Sequence, residues 1–430
     1  QVWRRPSIRA LEEHRAVQLL RDEGGRVGGA VLLDIRRGAV VAVRSRATLL
    51  AMGGGPTMYR VIACSADKSS DGIALGVRAG LRLRDMEMVQ FHPTGLIVPN
   101  SLMTGALLEE GLRGVGGRLL NGHGERFMER YDPRRMERST RDLVARASFT
   151  EVLEGRGTPN GGVWIDVSHL GAEVVERNFR GMVKRCRDFG RDLARGPVEV
   201  GPTAHFMMGG VVIDTACRTA IEGLLAAGED TGGVHGANRL GGNGVAESTV
   251  FGGIAGDTIA ELAAGRALPR LDTAALAPTL AALTAPFARP AGGALYELQA
   301  ELRDVMWERA GLVRDADSLA GALAAVERIE ARLDSVGVAG DPALNTAWQD
   351  WLSLRNQALV ARLIARSALE RRESRGAHFR RDFPATSPAP PLSVRVRRGA
   401  DGPVVTAAPV AFTRATPAGA RVTQTVEIGD

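Results

Sequence analysis

Several features are scarce in this 430-residue sequence, and each scarcity narrows the class of protein. Aromatic residues make up only 4%, and the basic residues behind the net charge of +6 are scattered, so we do not expect nucleic acid as a partner. The 3 cysteines lie far apart without metal-ligand spacing, which indicates a reducing compartment and no metal site. No apolar run reaches the roughly 18 residues of a membrane span, so we expect a chain that is soluble by itself.

Residues 1–50 alternate apolar and polar side chains in bursts that are separated by turn residues. This pattern predicts an antiparallel β-meander. The last burst ends in Gly53, Gly54 and Gly55, which the pattern by itself explains as a strand that leads into a flexible turn. Helical spacing then begins at Asp71 and Gly72, where Asp71 is expected to cap the helix.

The stretch HGANRLGGNGVAESTVFGGIAG, residues 235–256, is rich in glycine and ends in a small-residue helix pattern. Glycine lets backbone N–H groups approach a ligand, and the helix would direct its positive N-terminal end at an anion or the edge of an electron-rich ring. Arg239 provides a planar fork for a carboxylate. Upstream, the apolar strand in GLLAAGED leads to Glu229, a carboxylate that suits ribose or ribityl hydroxyls. The alternative interpretation is a glycine-rich turn without a ligand.

These runs resemble the flavin-contacting segments of the flavoprotein subunits of succinate dehydrogenase and fumarate reductase, a family that includes L-aspartate oxidase. Matching blocks cover most of the chain from about Leu49 to Pro384, among them MEMVQFHPTG, TRDLVAR, PTAHFMMGG and ESRGAHF. The resemblance implies an α/β flavin-binding domain, an inserted α+β capping domain and a C-terminal helical bundle. The family's opening G-x-G-x-x-G dinucleotide fingerprint is absent from this chain, so we expect weak retention of FAD unless native sequence precedes Gln1.

The order of the matching blocks predicts the domain boundaries. Residues 1–95 and 200–265 are expected to form the two parts of the flavin-binding domain, 96–199 the capping domain, 290–385 the helical domain and 386–430 a β-rich tail. The segment from Ala260 to about Ala288 is rich in alanine, leucine and proline and is predicted to be a linker. Long helical patterns are predicted within residues 293–380.

The resemblance also implies roles for individual residues. Cofactor-binding residues are expected at Gly53, Gly54, Gly55, Asp71, Glu229, Arg239, Asn243, Gly244 and Val245. The substrate is expected to contact His92, His205, Arg239 and Glu109. Arg141 corresponds to the arginine that moves a proton at the substrate carbon, and Glu110 and Arg113 correspond to its relay. An arginine can do this only when it is fixed against an anion, because its free pKa lies above about 12.

The implied function is FAD-dependent interconversion of succinate and fumarate, or of a related dicarboxylate, by a respiratory flavoprotein. The implied partners are an iron–sulfur protein and, through it, a membrane anchor, which would place the chain in the cytoplasm, at the cytoplasmic face of the inner membrane. Glu109 stands where the family has Thr or Ser, and two like charges about 4 Å apart cost roughly 4 kcal/mol at an effective dielectric of about 20. A soluble oxidase similar to L-aspartate oxidase and a truncated, non-catalytic family member are the alternatives.

Overall fold

The computed structural model describes residues 4–270, 276–292, 294–400 and 402–412. The strands within these residues are β1 (His14–Arg21), β2 (Val27–Asp34), β3 (Ala39–Arg44), β4 (Thr48–Leu50), β5 (Leu83–Arg84), β6 (Val89–Leu96), β7 (Arg118–Leu120), β8 (Val163–Asp166), β9 (Val198–Met207), β10 (Gly210–Val211), β11 (Leu224–Ala226), β12 (Leu392–Gly399) and β13 (Gly402–Pro409).

The helices alternate with these strands and then follow one another toward the C terminus. They are α1 (Asp71–Arg78), α2 (Gly111–Gly114), α3 (Met128–Tyr131), α4 (Arg141–Leu153), α5 (Ala172–Asn178), α6 (Arg180–Arg187), α7 (Asn243–Ala264), α8 (Leu276–Thr284), α9 (Leu295–Arg309), α10 (Ala316–Leu333) and α11 (Thr346–Glu370). None of these helices in the described part of the chain is both long and apolar enough to span a membrane.

The predicted meander is present as the antiparallel sheet β1-β2-β3. Alternation buries Val31 and Leu33 on one face of β2, as expected for a sheet with one face against a core. The last apolar burst divides into two strands, because β4 leaves the meander and pairs in parallel with β11. Leu50 lies opposite Ala226 in this pair, so the turns that follow the two strands emerge side by side.

A four-stranded antiparallel sheet has the order β6-β9-β8-β7, and α4 packs against β6 and β9. Every residue of β6 is buried. A separate apolar cluster beside this sheet contains only residues between Leu96 and Val200. The predicted boundaries at residues 95/96 and 199/200 fall inside β6 and β9, and the division into domains stays a prediction.

The C-terminal helices α9, α10 and α11 pack against one another around two buried tryptophans. The indole N–H of Trp348 donates to the Leu283 carbonyl at 2.9 Å, and that of Trp351 donates to the Leu333 carbonyl at 3.1 Å. The bundle shares one apolar cluster with α1 and β5. The helical pattern predicted up to residue 380 was too long, since α11 ends at Glu370.

The predicted linker between Ala260 and about Ala288 is wrong over most of its length. Helix α7 continues to Ala264, and α8 occupies Leu276–Thr284. Alanine and leucine are strong helix formers, so a run of them favours a helix even where its pattern is not amphipathic. Residues 271–275 of the predicted linker lie outside the described residues.

The C-terminal tail contains an antiparallel hairpin of β12 and β13, in which Val394 lies opposite Ala407. Strand β12 also pairs with β5, which gives the sheet β10-β5-β12-β13. The hairpin therefore joins strands from the N-terminal half of the chain instead of standing apart. The rest of the predicted β-rich tail, residues 413–430, lies outside the described residues.

Candidate active site

A cavity of about 530 Å³ opens where the turns after β4 and β11 meet the start of α7. Its volume lies within the range of about 300–1,000 Å³ that is usual for small-molecule sites. Backbone-rich turns line one part and cationic side chains another. The lining residues are Leu49, Ala51, Gly53, Lys68, Arg141, His205, Phe206, Ala227, Gly228, Glu229, Arg239, Gly242, Gly244, Val245, Ser248 and Gly252.

The three-glycine turn after β4 requires glycine at each position. Gly53, Gly54 and Gly55 have φ of +86°, +59° and +121°, which L-residues with side chains rarely adopt. A Cβ atom on Gly54 would lie 2.8 Å from the Glu229 side chain. A Cβ atom on Gly55 would lie 2.2 Å from the Lys68 carbonyl oxygen. The turn therefore brings bare backbone against the cavity at Gly53.

Asp230 fixes this turn, a role that the sequence analysis did not assign. Its fully buried carboxylate accepts hydrogen bonds from the backbone N–H groups of Met52 at 2.5 Å and Gly54 at 3.1 Å. Burial raises the pKa of Asp230, and the backbone donors oppose that change. Gly72 at the start of α1 is also explained, since a Cβ atom there would lie 2.5 Å from the Asp230 carboxylate.

Glu229 faces the cavity and forms an ion pair with Lys68 at 2.7 Å. Its second carboxylate oxygen accepts the backbone N–H of Met207 at 3.1 Å. Burial raises the pKa of Glu229, whereas the Lys68 ammonium lowers it. Lys68 was not predicted, because its sequence surroundings contain no pattern that indicates a ligand or a salt bridge.

Helix α7 begins at the cavity with Gly242 as its N-cap, at φ +81°. Gly244 and Val245 in its first turn line the cavity, whereas Asn243 is exposed and is not among the lining residues. A Cβ atom on Gly244 would lie 3.1 Å from both Arg239 Nη1 and Phe206 Cε2. Glycine thus lets the helix N terminus and the arginine approach each other.

The arginines of the cavity are held by neutral partners. The Arg239 guanidinium lies over the Phe206 ring, 4.2 Å from its centroid. Gln90 joins the two cavity arginines, since its side-chain oxygen accepts from Arg141 Nη1 at 3.3 Å and its Nε2 donates to the Arg239 carbonyl at 2.7 Å. Burial, with a further contribution from Arg141, lowers the pKa of Arg239.

His92 and His205 lie on the neighbouring strands β6 and β9 with their ring centroids 5.6 Å apart. Burial, followed by the charges of Arg239 and Arg141, lowers the pKa of His205 to about 3. The pKa of His92 is lowered well below its usual range by burial and then by Arg141. Both rings are therefore neutral at pH 7 when no anion is bound, and His205 lines the cavity while His92 lies behind it.

Glu110 connects the cavity to a second arginine. It accepts hydrogen bonds from Arg141 Nε at 2.9 Å and Nη2 at 2.6 Å, and its other oxygen accepts from Arg113 Nη2 at 3.1 Å. Arg113 is buried and also donates to the Glu137 carbonyl at 2.6 Å. Because 41% of the Glu110 side chain is exposed, this chain of contacts runs from the cavity to solvent.

Two predicted site residues lie outside the cavity lining. Asp71 is the first residue of α1, but its N-cap is Ser70, so the predicted capping role of Asp71 is wrong. The Asp71 carboxylate instead accepts from Arg15 at 2.8 Å and Asn356 at 2.5 Å. Glu109 is exposed and is not among the described lining residues, in contrast to its neighbour Glu110, which contacts Arg141.

Comparisons with known proteins agree with this geometry. Residues 1–245 match the family described as FAD binding domain, and residues 299–423 match the family described as fumarate reductase flavoprotein C-term. One chain of the CoM/CoB fumarate reductase of Methanothermobacter marburgensis is 43% identical over 394 residues, 92% of this chain and 71% of that protein. L-aspartate oxidase 1 of Ralstonia nicotianae is 37% identical over 396 residues, 89% of this chain and 70% of that protein.

A solved structure of E. coli quinol fumarate reductase superposes with a TM-score of 0.87 at 31% identity. The match covers 96% of this chain and 73% of the other chain. The predicted fold class, an α/β flavin-binding fold followed by a helical region, is confirmed by this match and by the two family matches.

Proposed function

Since the chain belongs to the succinate dehydrogenase and fumarate reductase family of FAD-dependent flavoproteins, we propose that it interconverts succinate and fumarate or a closely related dicarboxylate. One observation carries the proposal: Arg141, His205 and Arg239 face the same cavity as the glycine turn at Gly53 and the start of α7. The backbone-rich part suits a dinucleotide and the cationic part suits a dianion. A cofactor and a substrate would thus meet in one space.

The residues present fit FAD. Gly53 and Gly244 leave backbone accessible, Glu229 offers a carboxylate to hydroxyl groups, and the α7 N terminus offers unsatisfied N–H groups to an electron-rich ring edge. The buried Nε of Arg239 has no hydrogen-bond partner among the described residues, which marks it as a group that a ligand can satisfy. When bound, FAD supplies the redox step by exchanging a hydride with the substrate carbon.

The cationic side chains suit the two carboxylates of the substrate. A guanidinium such as that of Arg239 binds a carboxylate with two parallel hydrogen bonds, which fixes orientation as well as charge. Neutral His92 and His205 can each donate one hydrogen bond without adding charge. Arg239 has no carboxylate partner among the described residues, so a bound dianion would supply the missing negative charge.

Arg141 is the group that we assign to proton transfer at the substrate carbon. It lines the cavity and is held on two sides, by Glu110 and by Gln90. Glu110 passes the proton onward, because its carboxylate contacts Arg113 and is partly exposed to solvent. Glu109 is exposed, which removes the like-charge conflict with a dicarboxylate that its position in the sequence suggested.

The family also supports a partner. The M. marburgensis relative is one of the subunits of its enzyme, which is the reason to assign an iron–sulfur partner, with a membrane anchor beyond it, to this chain. The chain would then work at the cytoplasmic face of the inner membrane. Copurification of the native protein with an iron–sulfur protein tests this assignment separately from the chemistry.

The FAD-loaded protein should reduce fumarate with a reduced viologen dye and oxidise succinate with an acceptor dye. Arg239→Met should weaken dicarboxylate binding, because it removes the fork but leaves a side chain that packs on Phe206. Peroxide formed from L-aspartate and oxygen would instead support the oxidase alternative. A flavin-loaded protein that turns over none of these substrates would support the non-catalytic alternative and defeat the proposal.

A further inference from the structure

A second cavity, of about 260 Å³, lies away from the candidate active site, between β1, α1, α8 and α11. Three arginines line it, one from each of three elements: Arg15 from β1, Arg78 from α1 and Arg355 from α11. A water molecule takes up about 30 Å³ in the liquid, so the space is ample for a phosphate-sized anion with some of its hydration.

The three guanidinium groups share too few negative partners. Arg15 is satisfied, because it pairs with Asp71 at 2.8 Å and donates to Ser353 Oγ at 3.0 Å. Among the described residues, Arg78 donates to the neutral amide oxygen of Asn356 and has no carboxylate partner. Arg355 lies over the Trp351 ring, 4.7 Å from its centroid, and has no hydrogen bond or ion pair within the described part of the chain.

The charges around the cavity are therefore strongly positive. Burial and then the Arg355 charge lower the pKa of Arg78 to about 10, although Asp71 opposes this change. Burial also lowers the pKa of Arg355, where Asp334 and Arg289 make opposing contributions. Arg78 is nevertheless exposed, which means that its charged end faces the water-filled space and not a protein partner.

Polar groups that could complete an anion site are close by. Thr279 and Gln18, which also line the cavity, hydrogen-bond to each other through their side chains. The Arg15 Nε is buried without a partner among the described residues. Guanidinium groups bind oxyanions with paired N–H donors, so convergent arginines select this ligand chemistry over chloride or water.

We propose that the cavity lined by Arg15, Arg78 and Arg355 is a second anion-binding site, which takes a phosphate-sized oxyanion. The site is separate from the dicarboxylate cavity, since the two sets of lining residues have no member in common. The oxyanion bridges Arg78 and Arg355 and replaces the ion pairs that these two arginines lack.

Equilibrium dialysis of the FAD-loaded protein against radiolabelled inorganic phosphate, at constant ionic strength, tests the proposal. The wild-type chain should bind one phosphate per chain outside the active site. Arg355→Gln and Arg78→Gln should each weaken this binding at least tenfold, because each removes one fork. Arg355→Lys keeps the charge but not the fork, so its affinity should fall between those of wild type and Arg355→Gln.

Two control variants separate the sites. Arg362→Gln, two turns further along α11, removes an arginine that pairs with Glu330 at 3.4 Å, and it should leave phosphate binding unchanged. Arg239→Gln should also leave it unchanged, because Arg239 lies in the other cavity. Phosphate binding that is absent in wild type, that survives both Arg78→Gln and Arg355→Gln, or that is lost in Arg239→Gln would overturn the proposal.

Discussion

Arg141 donates two hydrogen bonds to a single oxygen of Glu110, from Nε at 2.9 Å and from Nη2 at 2.6 Å. The second oxygen of Glu110 remains available to Arg113, at 3.1 Å. One carboxylate thus fixes the plane of the cavity arginine and also joins it to a buried arginine. This arrangement gives an arginine the fixed anion and the proton path that its high free pKa requires.

Arg141→Lys should lower fumarate reduction by roughly a hundredfold or more, the usual contribution of a positioned general acid. Lysine keeps the charge but cannot make the two hydrogen bonds to Glu110 and reach Gln90 at the same time. Flavin absorbance should be retained, since the glycine turn and Glu229 are untouched. Steady-state kcat and bound flavin are the measurements.

Arg146→Lys is the matched control on the same helix. The Arg146 guanidinium lies over the Phe379 ring, 4.5 Å from its centroid, and is not among the cavity-lining residues. Turnover close to wild type in Arg146→Lys is expected. Equal losses in the two variants would mean that the effect comes from α4 as a whole, and an undiminished kcat in Arg141→Lys would remove its proton-transfer role.

Glu109→Thr and Glu110→Gln should behave differently although the residues are adjacent. Glu109 is exposed, so its replacement should change dicarboxylate affinity by less than about 1 kcal/mol, or about fivefold. Glu110→Gln removes the anion that holds Arg141 and Arg113 and should lower turnover much more. Binding that tightens well beyond fivefold in Glu109→Thr would show that Glu109 turns toward the ligand.

The parts of the site that the sequence could predict have a local signature. Gly53, Gly54 and Gly55 need positive φ, and Gly244 needs space beside Arg239, so the residue type itself records the requirement. The alternation in residues 1–50 likewise records which face of the meander is buried.

The parts that could not be predicted depend on contacts between distant segments. Lys68 meets Glu229 across 161 positions, and Asp230 reaches the N–H of Met52 across 178. Neither pairing leaves a periodic pattern near either residue. Helix α8 was missed for a different reason, since composition was given more weight than helix propensity.

The pH dependence of stability should carry the signature of His205. Its pKa falls from about 6.5 to about 3 on folding, so between these values the unfolded chain binds a proton that the folded chain does not. The contribution of His205 to stability is therefore fully present above pH 6.5 and is lost as pH falls through this window, at about 1.4 kcal/mol per pH unit.

His205→Gln removes this titration and keeps a side chain that can hydrogen-bond. Urea unfolding at pH 7, 5.5 and 4.5 should show that the variant loses less stability on acidification than wild type does. Other carboxylates and His92 titrate in both proteins, so the difference between the two curves isolates His205. Parallel curves would mean that His205 is protonated in the folded protein across this range.

The two lysines of the chain provide a test of the Lys68–Glu229 pair and its internal control. Lys68→Met leaves a buried carboxylate unpaired beside Gly54, which should cost about 1–3 kcal/mol of unfolding free energy and weaken FAD binding. The loss should shrink as pH falls, because protonation of Glu229 removes the unpaired charge. Lys184→Met alters an exposed pair with Asp188 and should cost less than about 1 kcal/mol at every pH. Urea unfolding and flavin retention after dialysis measure both effects, and identical behaviour of the two variants would show that Lys68 does not support the cavity.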